Sequence, residues 1–215
     1  VLTATATRAT GGGTSEFSQC VTVPAPPAPL VPEGSAGGGG GTPFGPITCA
    51  AGSTGAGLRG HAGDDIDRTE LWCREVVAGP GLGAESFAGG VGGFGGTNYA
   101  DTLMCPAGSF MIGVHGRAGT VLWGGNVVDT LGVTCRNATT GIVSQTPTIG
   151  GASPSATPFA ITCPAGQEVI AIGGGQGGLL DRISIYCGDR YPGMEPVAVL
   201  AASFEPPAPD DQRPS

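Results

Sequence analysis

Residues 161–187 read ITCPAGQEVIAIGGGQGGLLDRISIYC, and the same framework occurs twice upstream, over 47–73 and 103–135. In each copy a glycine lies 14 residues after the first cysteine and an aspartate 6 before the second. The copies are Cys49, Gly63, Asp67, Cys73; then Cys105, Gly119, Asp129, Cys135; then Cys163, Gly177, Asp181, Cys187. Glycine to aspartate is 4 residues in the outer copies and 10 in the middle one. The cysteine spacings of 24, 30 and 24 therefore differ by one 6-residue insertion at one point. A framework fixed on both sides of a single variable loop indicates three equivalent structural units.

Each first cysteine ends a short β-like run and enters a small turn, ITC-AAG, LMC-PAG or ITC-PAG. An apolar strand follows, clearest in MIGVHG at 111–116 and EVIAIGG at 168–174. After the glycine-to-aspartate loop, DRISIYC alternates Ile183, Ile185 and Cys187 with Arg182, Ser184 and Tyr186, the period of a strand with one buried face. Short strands, glycine-rich turns and no helical period predict an all-β domain. With 42 glycines and 19 prolines in 215 residues the composition alone suggests low complexity. The fixed cysteine spacing argues for an ordered domain over 37–190 instead, large enough to bury a core.

The net charge is −8, and all nine basic residues are arginine. Without a basic stripe the chain is not expected to bind nucleic acid, and no apolar stretch suggests membrane insertion. Residues 24–36, PAPPAPLVPEGSA, read as a stiff linker, and 191–215 as a proline-rich C-terminal tail after the apolar run VAVLAASF. The opening VLTATATRATGGGTSEFSQCVTV over 1–23 resembles the last hairpin of an immunoglobulin-like repeat of large bacterial surface proteins. The chain is therefore expected to be the C-terminal part of something longer, which leaves the lack of a visible signal peptide uninformative.

Six of the seven cysteines occupy repeat positions, which suits a disulfide framework in a secreted or cell-surface protein. Pairing within each repeat is favoured: Cys49–Cys73, Cys105–Cys135 and Cys163–Cys187. A ring of bonds between repeats, Cys73–Cys105, Cys135–Cys163 and Cys187–Cys49, respects the same symmetry and stays open. Cys20 is left over. With no C-x-x-C pair and two histidines, no metal or other cofactor is expected.

The third copy is similar to the strand, turn, long strand, G-x-x-x-D loop, strand unit of jacalin-related lectins, closest to the griffithsin-like members whose single chain carries three sugar sites. AGGGGGTPF ahead of the first copy and VGGFGGTNYADTL ahead of the second add the glycine-rich loop of that pattern. The resemblance covers 37–190 and implies a β-prism of three Greek-key-like four-stranded sheets with pseudo-threefold symmetry. It also implies carbohydrate binding, of mannose-type glycans, without enzymatic activity. Carried over, the site carboxylates are Asp67, Asp181 and Asp129, in loops opened by Gly63 and Gly177, with loop amides from Asp65, Ile66, Leu179 and Leu180. The facing glycine loop normally follows its aspartate in sequence, and the first one closes onto the last site. Gly95 and Gly96 then serve Asp67, and Gly40 and Gly41 serve Asp181. The chain departs from the family where an aromatic often precedes the aspartate by two residues, since Asp65, Val127 and Leu179 stand there. The middle copy carries TVLWGGNVV before Asp129, and the loop after it, IGGASPSATPF, keeps Gly150 and Gly151 but loses the longer glycine run, so Asp67 and Asp181 rank ahead of it.

Such residue types suit sugars for a physical reason. A carboxylate accepts two hydroxyls at once in charge-assisted bonds, and glycine lets backbone amides come close enough to donate to the same ligand. The competing reading of the aspartates and glycines is plain turn structure. No G-K-[ST] supports phosphate binding, and the DDID run at 64–67 lacks the ligand pattern of a calcium loop. His61 and His115 stand near no nucleophile motif, and Trp72 and Tyr186 read as packing residues. Trp123, inside the insertion, reads equally as a sugar-stacking ring or a plug. Asn137-Ala138-Thr139 fits a glycosylation sequon, expected to be silent in a bacterial chain. The alternative to a lectin is a structural or adhesive module of the same prism fold.

Overall fold

In the computed structural model, residues 29–77, 81–120, 124–151 and 153–189 are described. The N-terminal hairpin with Cys20, residues 24–28 of the linker, Trp123 and the tail over 191–215 lie outside them. Twelve strands follow in chain order: β1 Pro32–Gly37, β2 Thr42–Thr48, β3 Ser53–Ala62, β4 Ile66–Val76, β5 Leu82–Gly92 and β6 Thr97–Asn98, then β7 Ser109–Thr120, β8 Asn126–Asn137, β9 Val143–Gln145, β10 Thr157–Thr162, β11 Gln167–Gln176 and β12 Leu180–Asp189.

They form three four-stranded sheets, ordered β5-β4-β3-β6, β10-β7-β8-β9 and β1-β12-β11-β2. All pairings are antiparallel. Each sheet is built on the hairpin of one repeat, with the next two strands of the chain added on either flank, a Greek-key order. The third sheet has no later strands to use. It takes β1 and β2, the first strands of the domain, and so closes the ring. The three-sheet prism expected from the repeat is the observed architecture, with pseudo-threefold symmetry.

One sequence expectation needs correction. Residues 32–36, assigned to a linker, make up most of β1, with Pro32 and Gly34 paired to Tyr186 and Ile185. The segment lacks an alternating apolar pattern because it is an edge strand: only Ala36 is buried along it. Proline is tolerated as the first residue of such a strand. A hydroxyl pair between Ser35 and Ser184, 2.6 Å apart, adds a side-chain link to β12.

The alternating positions of the hairpins face a common core. Leu58 and Leu71 come from the first sheet, Met111, Val114, Leu131 and Val133 from the second, and Val169, Ile172, Ile183 and Ile185 from the third. Five of the six repeat cysteines belong to this core and Cys187 packs against it; the disulfides pair Cys49 with Cys73, Cys105 with Cys135, and Cys163 with Cys187. The between-repeat ring is thus excluded. Each bond joins two sheets. Cys49, Cys105 and Cys163 donate their amides to the oxygens of Ile170, Ala56 and Ile112, central-strand residues of the third, first and second sheets. Their sulfurs reach Cys73, Cys135 and Cys187, in the central strands of the first, second and third sheets.

Arg74 makes a further link between repeats. Its guanidinium, nearly buried on β4, donates to the main-chain oxygens of Cys105, Pro106 and Ser109 at 2.8–2.9 Å and pairs with Glu85 at 2.6 Å. One cation satisfies three carbonyls of the turn that opens the second repeat. Arg74→Met keeps the stem but orphans those carbonyls, and should cost about 3 kcal/mol in denaturant unfolding. A loss below about 1 kcal/mol would show that the turn holds without it.

Candidate functional site

At one end of the prism each hairpin loop meets a glycine-rich loop. In the first repeat the turn between β3 and β4 is closed by the Gly63 amide donating to the Asp65 oxygen at 3.0 Å. The loop from β5 to β6 then crosses it, with the Gly93 amide donating to the main-chain oxygen of Asp67 at 2.9 Å. In the third repeat the same two bonds recur, Gly177 to Leu179 at 2.9 Å and Gly38 to Asp181 at 2.7 Å. Arg68 and Arg182, each following its aspartate, donate to the Gly92 and Gly38 oxygens at 3.3 and 3.4 Å.

Glycine is required at defined points of this crossing. Gly37 and Gly92 have φ of 104° and 103°, and a Cβ on either would collide with the main-chain oxygen of the aspartate it crosses. Gly41 and Gly96 also sit in the left-handed region, at φ 72° and 64°. Between them, the backbone of Gly95 lies against Asp67 Oδ1 and that of Gly40 against Asp181 Oδ1, so each carboxylate is framed by bare backbone. The structure thus brings Asp67 together with Gly63, Gly95 and Gly96, and Asp181 with Gly177, Gly40 and Gly41, in the expected pairs. Ile66 and Leu180 have buried side chains, leaving their backbone as the part that faces the loops. Leu179 stays partly exposed on the loop.

Asp129 differs. It is 0 % exposed, and neither carboxyl oxygen finds a neutral or cationic donor side chain. The glycine loop of this repeat begins as the others do, with Gly150 at φ 89° against the Asp129 main-chain oxygen. The next amide then goes elsewhere: Gly151 donates to the Asp64 oxygen, at 3.0 Å. The loop therefore docks on the first repeat and covers the middle aspartate, so no open site forms at Asp129. The sequence ranking placed Asp129 last for the insertion before it and the shortened glycine run after it, and the buried carboxyl agrees with that order.

Covering Asp129 places its carboxyl against that of Asp65, at hydrogen-bonding range. Burial first, then the charge of Asp129 and a hydrogen bond to it, then Asp64 and Asp67, push the Asp65 pKa up to about 6. Burial likewise raises Asp129, against the bonds from Asp65 and the Ser153 backbone and the charge of Arg117. Two facing carboxyls can bond only if they share a proton. Among the described residues no group of three or more His, Cys, Asp or Glu side chains is arranged to hold a metal ion. His115 is a strand residue on β7, its pKa lowered by burial.

One residue was missed. Phe94, in the middle of the first glycine loop, is 76 % exposed, with the Arg68 guanidinium 4.5 Å from its ring centroid and His61 edge-on at 5.7 Å. The signal was present as the one non-glycine within GGFGG at 92–96. Trp72 behaves as expected of a packing residue, with Arg59 over its ring at 3.7 Å and Phe87 beside it.

No protein-family model matches the sequence, and no curated protein matches it either. Solved structures do. The chain superposes on a point variant of Malaysian banana lectin with a TM-score of 0.54 at 22 % identity, over 75 % of this chain and 99 % of that one. A mannose-binding jacalin-related lectin from Ananas comosus gives 0.53 at 23 %, over 74 % and 98 %. Single-chain recombinant jacalin gives 0.53 at 18 %, over 76 % and 97 %. The fold is the jacalin-like β-prism. At these identities the likeness carries the fold, the prism of three four-stranded sheets.

The carboxyl pair makes stability depend on pH. In the unfolded chain Asp65 ionises near its ordinary value, whereas in the prism it keeps its proton to about 6. Its contribution is therefore full below the unfolded pKa and is lost as pH rises through about 6. Asp65→Asn, which donates permanently to an ionised Asp129, should flatten that fall relative to wild type in urea midpoints taken from pH ~4 to ~7.5. Identical slopes for the two proteins would show that no proton is shared.

Proposed function

We propose that this domain is a lectin-like module that binds glycans at two sites, one around Asp67 and one around Asp181. The observation that carries the reading is the repeated crossing of a glycine loop over a hairpin loop. It uses the main-chain oxygen of the aspartate for structure and leaves its carboxylate framed by glycine backbone. A turn-forming aspartate would spend its carboxylate on its own loop, as Asn137 does when its Oδ1 accepts the amides of Thr139 and Thr140. Asp67 and Asp181 show no such bond among the described residues' side-chain contacts.

A pyranose fits this arrangement chemically. Two vicinal hydroxyls can both donate to one carboxylate, while their oxygens accept from amides of the two loops. The ligand class we favour is mannose-type, because structural neighbours include lectins described as mannose-binding. With no paired acid and base beside a nucleophile at either site, the domain acts as a binding module and not as an enzyme. Its three disulfides are consistent with an extracellular setting, and a place on a bacterial cell surface remains our reading of the N-terminal resemblance.

Asp67→Ala and Asp181→Ala should each remove one site and leave the fold intact. Loss of a charged acceptor should weaken a site by roughly 1.5–3 kcal/mol, about ten- to a hundredfold. On a glycan-coated surface the double variant should lose far more than either single one. A glycan array with wild type and the three variants tests this. If wild type retains no glycan, or the double variant binds as well as wild type, the reading falls and a structural prism module stands in its place.

A further inference from the structure

The two open sites are not copies of each other. Matching their loops by the shared bonds sets Gly37 against Gly92, Gly38 against Gly93, Gly40 against Gly95 and Gly41 against Gly96. Gly39 is then the counterpart of Phe94. A Cβ on Gly39 would meet nothing within 4 Å, so the third site has open space where the first has a ring.

A lone exposed aromatic needs no explanation by itself. Phe94, however, is held in place. Its ring rests on the His61–Arg68 pair, which are directly opposite each other in β3 and β4. Arg68 is itself fixed by Glu70 at 2.7 Å and by the Gly92 oxygen at 3.3 Å. A cation against one part of the ring orients it while most of its surface stays exposed. Arg68 directly follows Asp67 on β4, so the support of the ring is one residue, about 3.3 Å of strand, from the aspartate. For a sugar bonded to Asp67, a ring at that offset would stand beside the next unit of a chain.

We propose that Phe94, seated on Arg68 and His61, forms an extension subsite of the first site, receiving the C–H face of a second pyranose, and that the third site has no such subsite. The proposal rests on the glycan-binding reading above and names the substrate class of one site: an oligosaccharide, against a terminal sugar at Asp181. The C–H bonds of a pyranose face are weakly positive and match the negative face of an aromatic ring. Because the ring is already oriented, little freedom is lost on contact.

The test is two-dimensional amide NMR on the prism-bearing chain, with Gly93 and Gly95 reporting the first site and Gly38 and Gly40 the third. The probes are methyl α-mannoside and a set of methyl mannobiosides differing in linkage. At the first site at least one mannobioside should bind about three- to tenfold more tightly than methyl mannoside, with upfield ring-current shifts on the protons of its second ring. Phe94→Ala and Phe94→Leu should both abolish that advantage and those shifts while leaving methyl mannoside affinity unchanged. The third site should show no disaccharide preference in any variant. Methyl mannoside binding at both sites with an unaltered disaccharide ratio in Phe94→Ala overturns this proposal and leaves the lectin reading intact. Binding of none of the probes at either site overturns both.

Discussion

The candidate sites depend on one backbone bond, the amide of Gly38 or Gly93 donating to the main-chain oxygen of Asp181 or Asp67. It sets the distance between the hairpin loop and the loop that crosses it. That distance leaves no room for a side chain on Gly37 or Gly92, and it brings Gly40 and Gly95 against the carboxylates. The glycine runs are therefore a steric consequence of a close backbone crossing, and not flexible filler. The main chain is pinned, so the carboxylate position follows from a single short side chain.

The frame holds because the sheets are tied pairwise. Each disulfide runs from the end of one sheet's outer segment to the central hairpin of the next, so three bonds link three sheets in a cycle. The third sheet is made from both ends of the domain, and the loop facing Asp181 lies 144 residues from the arginine that contacts it. A long closure of this kind is entropically slow to form but adds only logarithmically to its cost. The disulfide Cys49–Cys73 anchors the strand pair that provides it, since Cys49 directly follows β2.

The cysteine and glycine offsets made three hairpins legible and favoured disulfides within each repeat over a ring between repeats, while the family resemblance supplied which glycine loop meets which aspartate. Those features rest on local constraints that leave a mark at fixed positions, such as a missing Cβ or a sulfur bond. What stayed hidden rests on tertiary neighbours. β1 carries PEGSAG, a sequence with no strand pattern, because its order comes from pairing with β12. β6 and β9 have two and three residues, too few to show a period. The burial of Asp129 depends on where Gly151 sends its amide, and Asp64, the acceptor, lies in another repeat.

The three loops also touch one another around the end of the prism. A Cβ on Gly93 would lie 3.5 Å from the Gly178 oxygen, one on Gly38 would strike Asn126, and Gly151 bonds Asp64. Each glycine loop thus abuts the hairpin region of a neighbouring repeat, and among the described residues only the second repeat's contact becomes a backbone hydrogen bond. The raised pKa values of Asp65 and Asp129 mean that the closed position holds two carboxyls that would repel at full ionisation. Closure of one position out of three leaves two carboxylates on one rigid end, in adjoining loops. On the proposed lectin reading, a pair of weak sites so fixed would gain avidity from geometry alone, without any contact between ligands. The symmetry duplicated the frame, and the differences between Gly39, Phe94 and the docked loop make each position chemically its own.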